Sequence, residues 1–293
     1  MSGRYRILAL ILAAQTVANV GPLCIPAIAS LIRSDMDLTL TQAGSFLSAY
    51  YIGPILMSMP AGALADRWGV KPMLILGQAV MAWFPPHQRA TVVGLKQVGL
   101  PFGGVLGAAI LPALALAAGW RSAVVVSAAL VAAGAVASLL VYRDAPGAAP
   151  PPTGASEKSR VLEVLRNSDL WLVAAATFVF AGMQTVWMAF LVLYLQGVVG
   201  LGLLGASRYL ALAQLGGMAG RVAFGVLSDR TFGGRRRAPL AIAGCGSALC
   251  SVALAYTGAD ASALWLGALA LGFGFVGIGW NGVQHTLMAE LAG

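Results

Sequence analysis

Long apolar stretches, separated by short polar segments, dominate the sequence. A helix that crosses a bilayer needs about 20 mostly apolar residues. Stretches that meet this requirement lie at 7–31, 43–65, 90–118, 122–142, 170–196, 204–227, 239–257 and 262–286. Because backbone polar groups in lipid must be satisfied within their own segment, each stretch is predicted to be a helix. The pattern therefore predicts an all-α polytopic membrane protein with about eight full transmembrane helices.

Two segments interrupt this pattern. The apolar segment 72–83 is too short to cross a bilayer, and we expect a re-entrant or interfacial piece there. The segment 143–168 is rich in Pro, Ala, Gly and charge, which predicts a loop with a short surface helix near 159–166. The predicted division is therefore an N-terminal transmembrane half (1–142), a cytoplasmic central loop (143–168) and a C-terminal transmembrane half (169–293).

Composition supports lipid as the main solvent and excludes nucleic acid as a partner. Hydrophobic residues make up 59% of the 293 positions and charged residues only 10%, whereas soluble domains carry about 25% charged residues. The net charge of +8 is spread between apolar runs and forms no stripe on a soluble face. The lipid bilayer is therefore the expected surrounding, and no nucleic-acid partner is expected.

The basic residues also predict the orientation of the chain. When the N-terminus is placed in the cytoplasm, thirteen Lys and Arg residues fall inside and three fall outside, at Arg33, Arg121 and Arg208. Cytoplasmic loops carry an excess of Lys and Arg. Low Lys with high Ala, Gly and Arg is typical of a bacterial source. We therefore expect a multi-pass protein of the bacterial inner (plasma) membrane with a cytoplasmic N-terminus.

A charged, glycine-containing segment follows an apolar run twice, about 160 residues apart. The first copy is "GALADRWGVK" at 62–71, and the second is "GRVAFGVLSDR" at 220–230 followed by "GGRRRAP" at 233–239. Glycine permits a tight turn, and an acid there can meet the positive end of a neighbouring helix dipole. One copy alone is compatible with ordinary positive-inside charge, but two copies in matching positions indicate an internal duplication.

These segments resemble the two signature loops of the major facilitator superfamily. Further resemblances are "WFPPHQRATVVGLKQVG" at 83–99, "GWR" at 119–121 and "GIGWNGVQHTLMAELAG" at 277–293. The resemblance implies a two-half helical bundle and a secondary transporter (permease) that moves a small solute by alternating access. It assigns the signature loops to Gly62, Asp66, Arg67, Gly69, Lys71, Gly225, Asp229, Arg230 and Arg235.

The chain departs from the twelve-helix family pattern in two places. Pro72–Trp83 stands where most of helices three and four are expected, and the sequence ends just after the tenth helix. Both halves are accordingly expected to be incomplete, and a truncated, non-transporting remnant is the alternative to a working transporter. The resemblance implies that Asp66 has lost its partners on the missing helices, while Asp229 can still cap the fifth helix near Thr91.

Polar residues inside the apolar stretches are the candidate substrate-binding residues, because such residues are costly in lipid and mark functional sites. Gln15 and Asn19 share one helix face, as do Gln184 and Trp187. For each residue the alternative is an interhelical hydrogen bond, and for Lys96 it is snorkelling to the surface. The resemblance places their helices around a central cavity, with the positive Lys96 suited to an anionic substrate. The candidates are Gln15, Asn19, Tyr50, Lys96, Gln97, Gln184, Trp187, Asn281 and Gln284.

The sequence offers no support for an enzyme or a bound cofactor. No H-E-x-x-H, paired acids or Ser-His-Asp arrangement is evident, so neither catalytic residues nor a metal site are expected. No acid lies at mid-membrane depth, so a coupling proton is possible but unsupported, with His285 as the titratable candidate. The G-x-G-x-x-G pattern at 272–277 lies inside an apolar helix, which favours close helix packing, as at Gly216 and Gly220. The cysteines are expected to be small buried hydrophobes.

Overall fold

Helices make up the described part of the chain. The structure is a computed structural model. It describes residues 3–21, 25–43, 56, 89–141 and 166–292. The predicted helix 43–65, the segment 72–83 and most of the loop 143–168 lie outside these residues. Within the described ranges, the helices are α1 Gly3–Val20, α2 Ile25–Asp35, α3 Arg89–Gln97, α4 Gly99–Ala118, α5 Trp120–Val141, α6 Ser168–Gly197, α7 Leu203–Val226, α8 Arg237–Ala255, α9 Ala263–Phe273 and α10 Asn281–Ala292.

Seven segments of the described chain are long and apolar enough to cross a membrane. Three of them are composite, because α1 with α2, α3 with α4, and α9 with α10 each form one span. The seven coincide with seven of the eight predicted stretches, and the eighth, at 43–65, is largely outside the described residues. The prediction of an all-α polytopic membrane protein is confirmed.

Local sequence sets several helix ends. Asn167 precedes α6 and accepts a hydrogen bond from the backbone N–H of Asp169, and Ser262 caps α9 through the N–H of Trp265. Such caps satisfy N–H groups that have no partner within the helix. The described residues include two π-helical turns, at Leu227–Thr231 after α7 and at Gly274–Ile278 between α9 and α10. Turns of this kind are frequent at functional sites.

Glycines allow α7 to pack closely against the last span. A Cβ atom at Gly216 would overlap the carbonyl oxygen of Leu271, and one at Gly220 would overlap that of Phe275. Gly274 in turn lies against the carbonyl of Ala213. The predicted packing role of Gly216 and Gly220 is thus confirmed. Backbones can approach this closely only where no side chain intervenes.

The outer faces of the bundle carry large apolar side chains. Phe178 and Leu249 are among the exposed ones, as expected for helices whose surroundings are hydrocarbon rather than water. The expectation that the cysteines are buried is wrong for Cys245, which is exposed, and Cys250 is only half-buried. Both lie on α8, which packs against the bundle along one side and leaves its other side to the surroundings. Cys24 is outside the described residues.

Candidate transport site

Helices of the two predicted halves contact each other where α3 lies against α7 and α10 and where α4 lies against α7. A Cβ atom at Gly94 would lie 2.5 Å from the carbonyl oxygen of Arg221. A Cβ atom at Gly282 would lie 2.9 Å from the Cα of Gly94. Three backbones, from α3, α7 and α10, therefore touch at one point. Both glycines leave no room for any side chain there.

Lys96 lies beside this contact. Its side chain is 8% exposed, and the neighbouring Gln97 is also buried. Lys96 is six residues beyond the start of the predicted stretch 90–118. The alternative to a substrate-binding role was that its ammonium snorkels to the membrane surface. Because the side chain is buried in the interior of the bundle, its charge is held among the helices rather than at the surface.

Arg221 is a second buried cation. Unlike Lys96, it was not among the candidates predicted from the sequence. Its side chain is fully buried on α7. Its Nε donates to the carbonyl oxygen of Ile278 at 3.2 Å, and its Nη1 donates to that of Gln97. Its Nη2 has no hydrogen-bond partner among the described residues. An arginine inside the apolar stretch 204–227 was the available signal, because charged residues inside transmembrane helices mark functional positions.

His285, the titratable candidate, lies on α10 and is exposed. Among the described residues, no carboxylate forms a hydrogen bond or an ion pair with Arg221. The same part of the chain contains no group of three or more His, Cys, Asp or Glu side chains that could hold a metal ion. Two buried cations, Lys96 on α3 and Arg221 on α7, therefore lie on helices that contact each other.

Amide side chains form a second polar cluster, between α6 and α10. The Oε1 of Gln184 accepts hydrogen bonds from the Nε1 of Trp280 and the Nδ2 of Asn281, each at 3.1 Å. One turn along α10, the Nε2 of Gln284 donates to the carbonyl of Val173 at 3.1 Å. Gln184, Asn281 and Gln284 are thus brought together within the C-terminal half.

Trp187 is placed differently from Gln184. Its indole is buried, stacks on Phe273 at 3.8 Å between ring centroids, and donates through Nε1 to the hydroxyl of Ser251 at 2.9 Å. It borders an apolar groove of about 280 Å³ between α6 and α8, which Tyr194 and Leu254 also line. The contacts of Trp187 are therefore with α8 and α9 of its own half.

Gln15 and Asn19 lie where α1 packs on α4. A Cβ atom at Gly99 would lie 3.0 Å from the Cβ of Gln15. The Nδ2 of Asn19 donates to the backbone carbonyl of Gln15 at 2.7 Å, and the Oε1 of Gln15 is buried without a partner in the described chain. No hydrogen bond between described residues joins this pair to the amide cluster around Gln184. Tyr50 is outside the described residues.

The second signature loop forms a network on the predicted cytoplasmic side. The Oδ2 of Asp229 accepts from the backbone N–H of Thr91 at 3.0 Å and from its hydroxyl at 2.8 Å. Arg236 donates to the Oδ1 of Asp229 and the Oε1 of Glu290, each at 2.7 Å. The predicted contact of Asp229 with Thr91 is confirmed. The sequence did not indicate Arg236 or Glu290 as its companions.

Charge dominates the environment of Arg236. Burial by itself lowers the pKa of its guanidinium, but the hydrogen bonds and charges of Glu290 and Asp229 outweigh burial and raise it. Arg236 therefore stays protonated and holds both acids. Of the other signature residues in this loop, Gly225 is buried, whereas Arg230 and Arg235 are exposed. The first-loop residues Gly62, Asp66, Arg67, Gly69 and Lys71 lie outside the described part of the chain.

The family follows from comparison with known proteins. The sequence profile of the Major Facilitator Superfamily matches residues 8–82 and 78–293. The chain belongs to this superfamily. It is therefore a multi-pass membrane protein of a transporter family, and its seven described spans agree with that assignment.

Several curated members of the superfamily are similar to the chain. An uncharacterized MFS-type transporter, Rv2994 of Mycobacterium tuberculosis, is 30% identical over 74% of this chain and 47% of its own length. The hexuronate transporter of Bacillus subtilis is 23% identical over 70% of this chain and 59% of its own length. The probable sulfoacetate transporter SauU of Cupriavidus necator is 24% identical over 99% of this chain and 80% of its own length.

The chain spans about half the length of the first of these relatives. Its alignment with SauU runs over 358 positions, more than the 293 residues of the chain, so SauU carries residues that this chain lacks within the matched region. The activity of a complete superfamily transporter is therefore a proposal for this chain rather than a finding.

Proposed function

We propose that the chain is a secondary transporter that moves a small organic anion across the bacterial inner membrane by alternating access. The observation that carries this proposal is the buried ammonium of Lys96 at the junction of the two halves. A charge inside a transmembrane bundle is expensive and typically marks a substrate or ion path. A positive charge at that place suits a negatively charged solute.

The names of two relatives support the anionic class. The hexuronate and sulfoacetate transporters are named for a carboxylate and for a carboxylate that also carries a sulfonate. Each protein is only distantly similar to this chain, at 23% and 24% identity. Their shared feature is a small, hydrophilic organic anion, and this shared feature is what we assign to the present chain.

In this proposal, the intramembrane amides bind the uncharged part of the solute. Gln15 and Asn19 contribute from the first half, and Gln184, Asn281 and Gln284 contribute from the second. Gln97 and Tyr50 complete the polar set, and Trp187 contributes its indole from α6. Amide groups both donate and accept hydrogen bonds, so they can serve a polar solute. The cytoplasmic side is closed when Gly94 contacts Gly282 and opens when α3 and α10 separate at this contact.

Uptake by the purified chain in liposomes tests this function. We expect saturable uptake of glucuronate or sulfoacetate, and no saturable uptake of neutral glucose. Lys96→Gln removes the charge, and we expect anion uptake to fall about tenfold or more. Arg208→Gln is the matched control, because Arg208 is an exposed cation on α7. Absence of uptake for both anions by the wild-type chain would favour a non-transporting remnant instead.

A further inference from the structure

We propose that Gln214 on α7 contacts the solute, as part of a polar line that faces a water-filled path when the two halves separate. The polar line consists of Ser207, Gln214 and Arg221, which are the buried polar side chains of α7. This role of Gln214 rests on the proposed transport function and deepens it, because Gln214 was not among the residues predicted from the sequence.

The three side chains of the polar line share one face of α7. They are spaced seven residues apart, which is close to two turns of an α-helix, so each lies almost directly above the next. Their exposed fractions are only 1%, 1% and 0%. Polar residues inside transmembrane segments typically face the bundle interior or a water-filled cavity, and they mark a substrate path.

Each residue of the polar line contacts the N-terminal half. The hydroxyl of Ser207 donates to a backbone carbonyl of α2 at 3.5 Å. A Cβ atom at Gly104 on α4 would lie 2.6 Å from the Cδ and the Nε2 of Gln214. Arg221 donates to the carbonyl of Gln97 on α3. The polar line therefore lies along the interface between the predicted halves, where alternating access would open a path.

The closed interface leaves the polar groups of this line poorly satisfied. The Nε2 of Gln214 donates to the sulfur of Met188 at 3.1 Å, a weak acceptor, and its Oε1 has no hydrogen-bond partner among the described residues. The Nη2 of Arg221 likewise has no described partner. Because a buried polar group without a good partner costs free energy, a state in which water or solute reaches the line satisfies these groups better.

Gln214 is the member of the line best placed to bind solute. It lies eleven residues after Leu203, the first residue of this 24-residue helix, and so near the middle of the span. Its amide occupies the space that a side chain at Gly104 would take. When α4 moves away from α7, the donor and the acceptor of this amide become free to bind a solute. Arg221, on the same face, adds a positive charge that suits the proposed organic anion.

A packing role for Gln214 is the alternative, in which its amide only fills the space beside Gly104. The two roles predict different effects of Gln214→Met, which keeps the length of the side chain and removes its hydrogen-bonding groups. For a solute-contacting residue, we expect glucuronate uptake to fall about tenfold or more. The melting temperature should stay the same or rise, because an incompletely bonded amide leaves the interior. Leu215→Met is the matched control, since Leu215 is the exposed neighbour of Gln214 on α7.

Cysteine accessibility tests the path without requiring transport. Gln214→Cys and Leu215→Cys are each made in a variant without the three natural cysteines, placed in liposomes and treated with a membrane-impermeant, negatively charged thiosulfonate. We expect the reagent to modify Gln214→Cys and not Leu215→Cys, because position 215 faces lipid. Sodium glucuronate should slow the modification in a saturable manner, whereas sodium chloride at equal ionic strength should not.

Three results would overturn the role of Gln214. The first is a Gln214→Cys thiol that stays unmodified in liposomes although the denatured protein reacts fully. The second is modification that glucuronate does not slow, which would mean that water but not the solute reaches this position. The third is wild-type uptake by Gln214→Met. The proposed function can fail separately: if wild-type liposomes show no uptake while glucuronate protects Gln214→Cys, the polar line binds solute and this chain does not transport it.

Discussion

The carboxylate of Asp229 caps the helix that begins near Thr91, 138 residues earlier in the chain. Its Oδ2 accepts from both the backbone N–H and the hydroxyl of Thr91, while its Oδ1 accepts from Arg236. One side chain of the second half therefore holds the start of a helix in the first half. This contact joins the two predicted halves on the predicted cytoplasmic side.

Asp229→Asn is expected to destabilise the chain by about 3 kcal/mol, because it removes a charge from a buried ion pair and leaves Arg236 incompletely compensated. Both side chains are only 7% exposed. The measurement is thermal unfolding in detergent, with Asp260→Asn, an exposed acid, as the control. We expect Asp66→Asn to change stability little. A larger loss for Asp66→Asn than for Asp229→Asn would contradict the assignment of the intact contact to the second loop.

Glu290→Gln should cost less than Asp229→Asn, although both acids bind Arg236. The Glu290 side chain is 41% exposed, and exposed ion pairs contribute about 1 kcal/mol or less. The same unfolding assay, repeated at high salt, compares the two variants. We expect added salt to reduce the small difference in unfolding temperature between the wild type and Glu290→Gln. Equal losses of stability for the two variants would show that the contributions of these two ion pairs do not follow their burial.

Gly94→Ala should prevent the close contact of α3 with α7. The added Cβ atom would lie 2.5 Å from the carbonyl oxygen of Arg221, and a backbone atom cannot rotate away. Overpacking of this kind costs about 1–3 kcal/mol. Gly205→Ala is the matched control, because its Cβ would meet only Leu201 at 3.9 Å. Unfolding temperatures that fall equally for both variants would count against the tight interface at Gly94.

The hydrogen bond between Trp187 and Ser251 should be detectable as a coupling energy. We expect a double-mutant cycle with Trp187→Phe and Ser251→Ala to give about 1 kcal/mol in unfolding experiments. The 2.9 Å bond joins α6 to α8 within one half. If Trp187 also contacts solute, Trp187→Phe will raise the KM for uptake while Ser251→Ala will not. Equal KM changes in the two variants would restrict Trp187 to a packing role.

The topology prediction is tested at the central loop. Cysteine introduced at Thr153, in a variant without the three natural cysteines, should not react with an impermeant maleimide added to intact cells. Lysed cells should label fully. The basis is the thirteen-to-three distribution of basic residues between the two sides. Efficient labelling in intact cells would reverse the proposed orientation.

The sequence by itself determined the helices and the family. Apolar length identifies a transmembrane helix because lipid leaves few other solutions for the backbone, and the seven described spans lie where the pattern predicted them. The paired signature loops and the glycines of α7 were also readable. These features can be identified from the sequence because the residues that form each of them are close neighbours in the chain.

Only the tertiary structure decided which polar residues share a site. Arg221 and Gln97 are 124 residues apart in the chain, and Arg236, which binds Asp229, reaches Glu290 only through the packing of α8 and α10. Gln184 and Trp187 lie on one helix face in the sequence, yet Gln184 binds Asn281 while Trp187 packs on Phe273 and binds Ser251. Helix periodicity shows which residues share a helix face. Which other helix packs on that face depends on how the helices cross, and glycine contacts between distant segments determine those crossings.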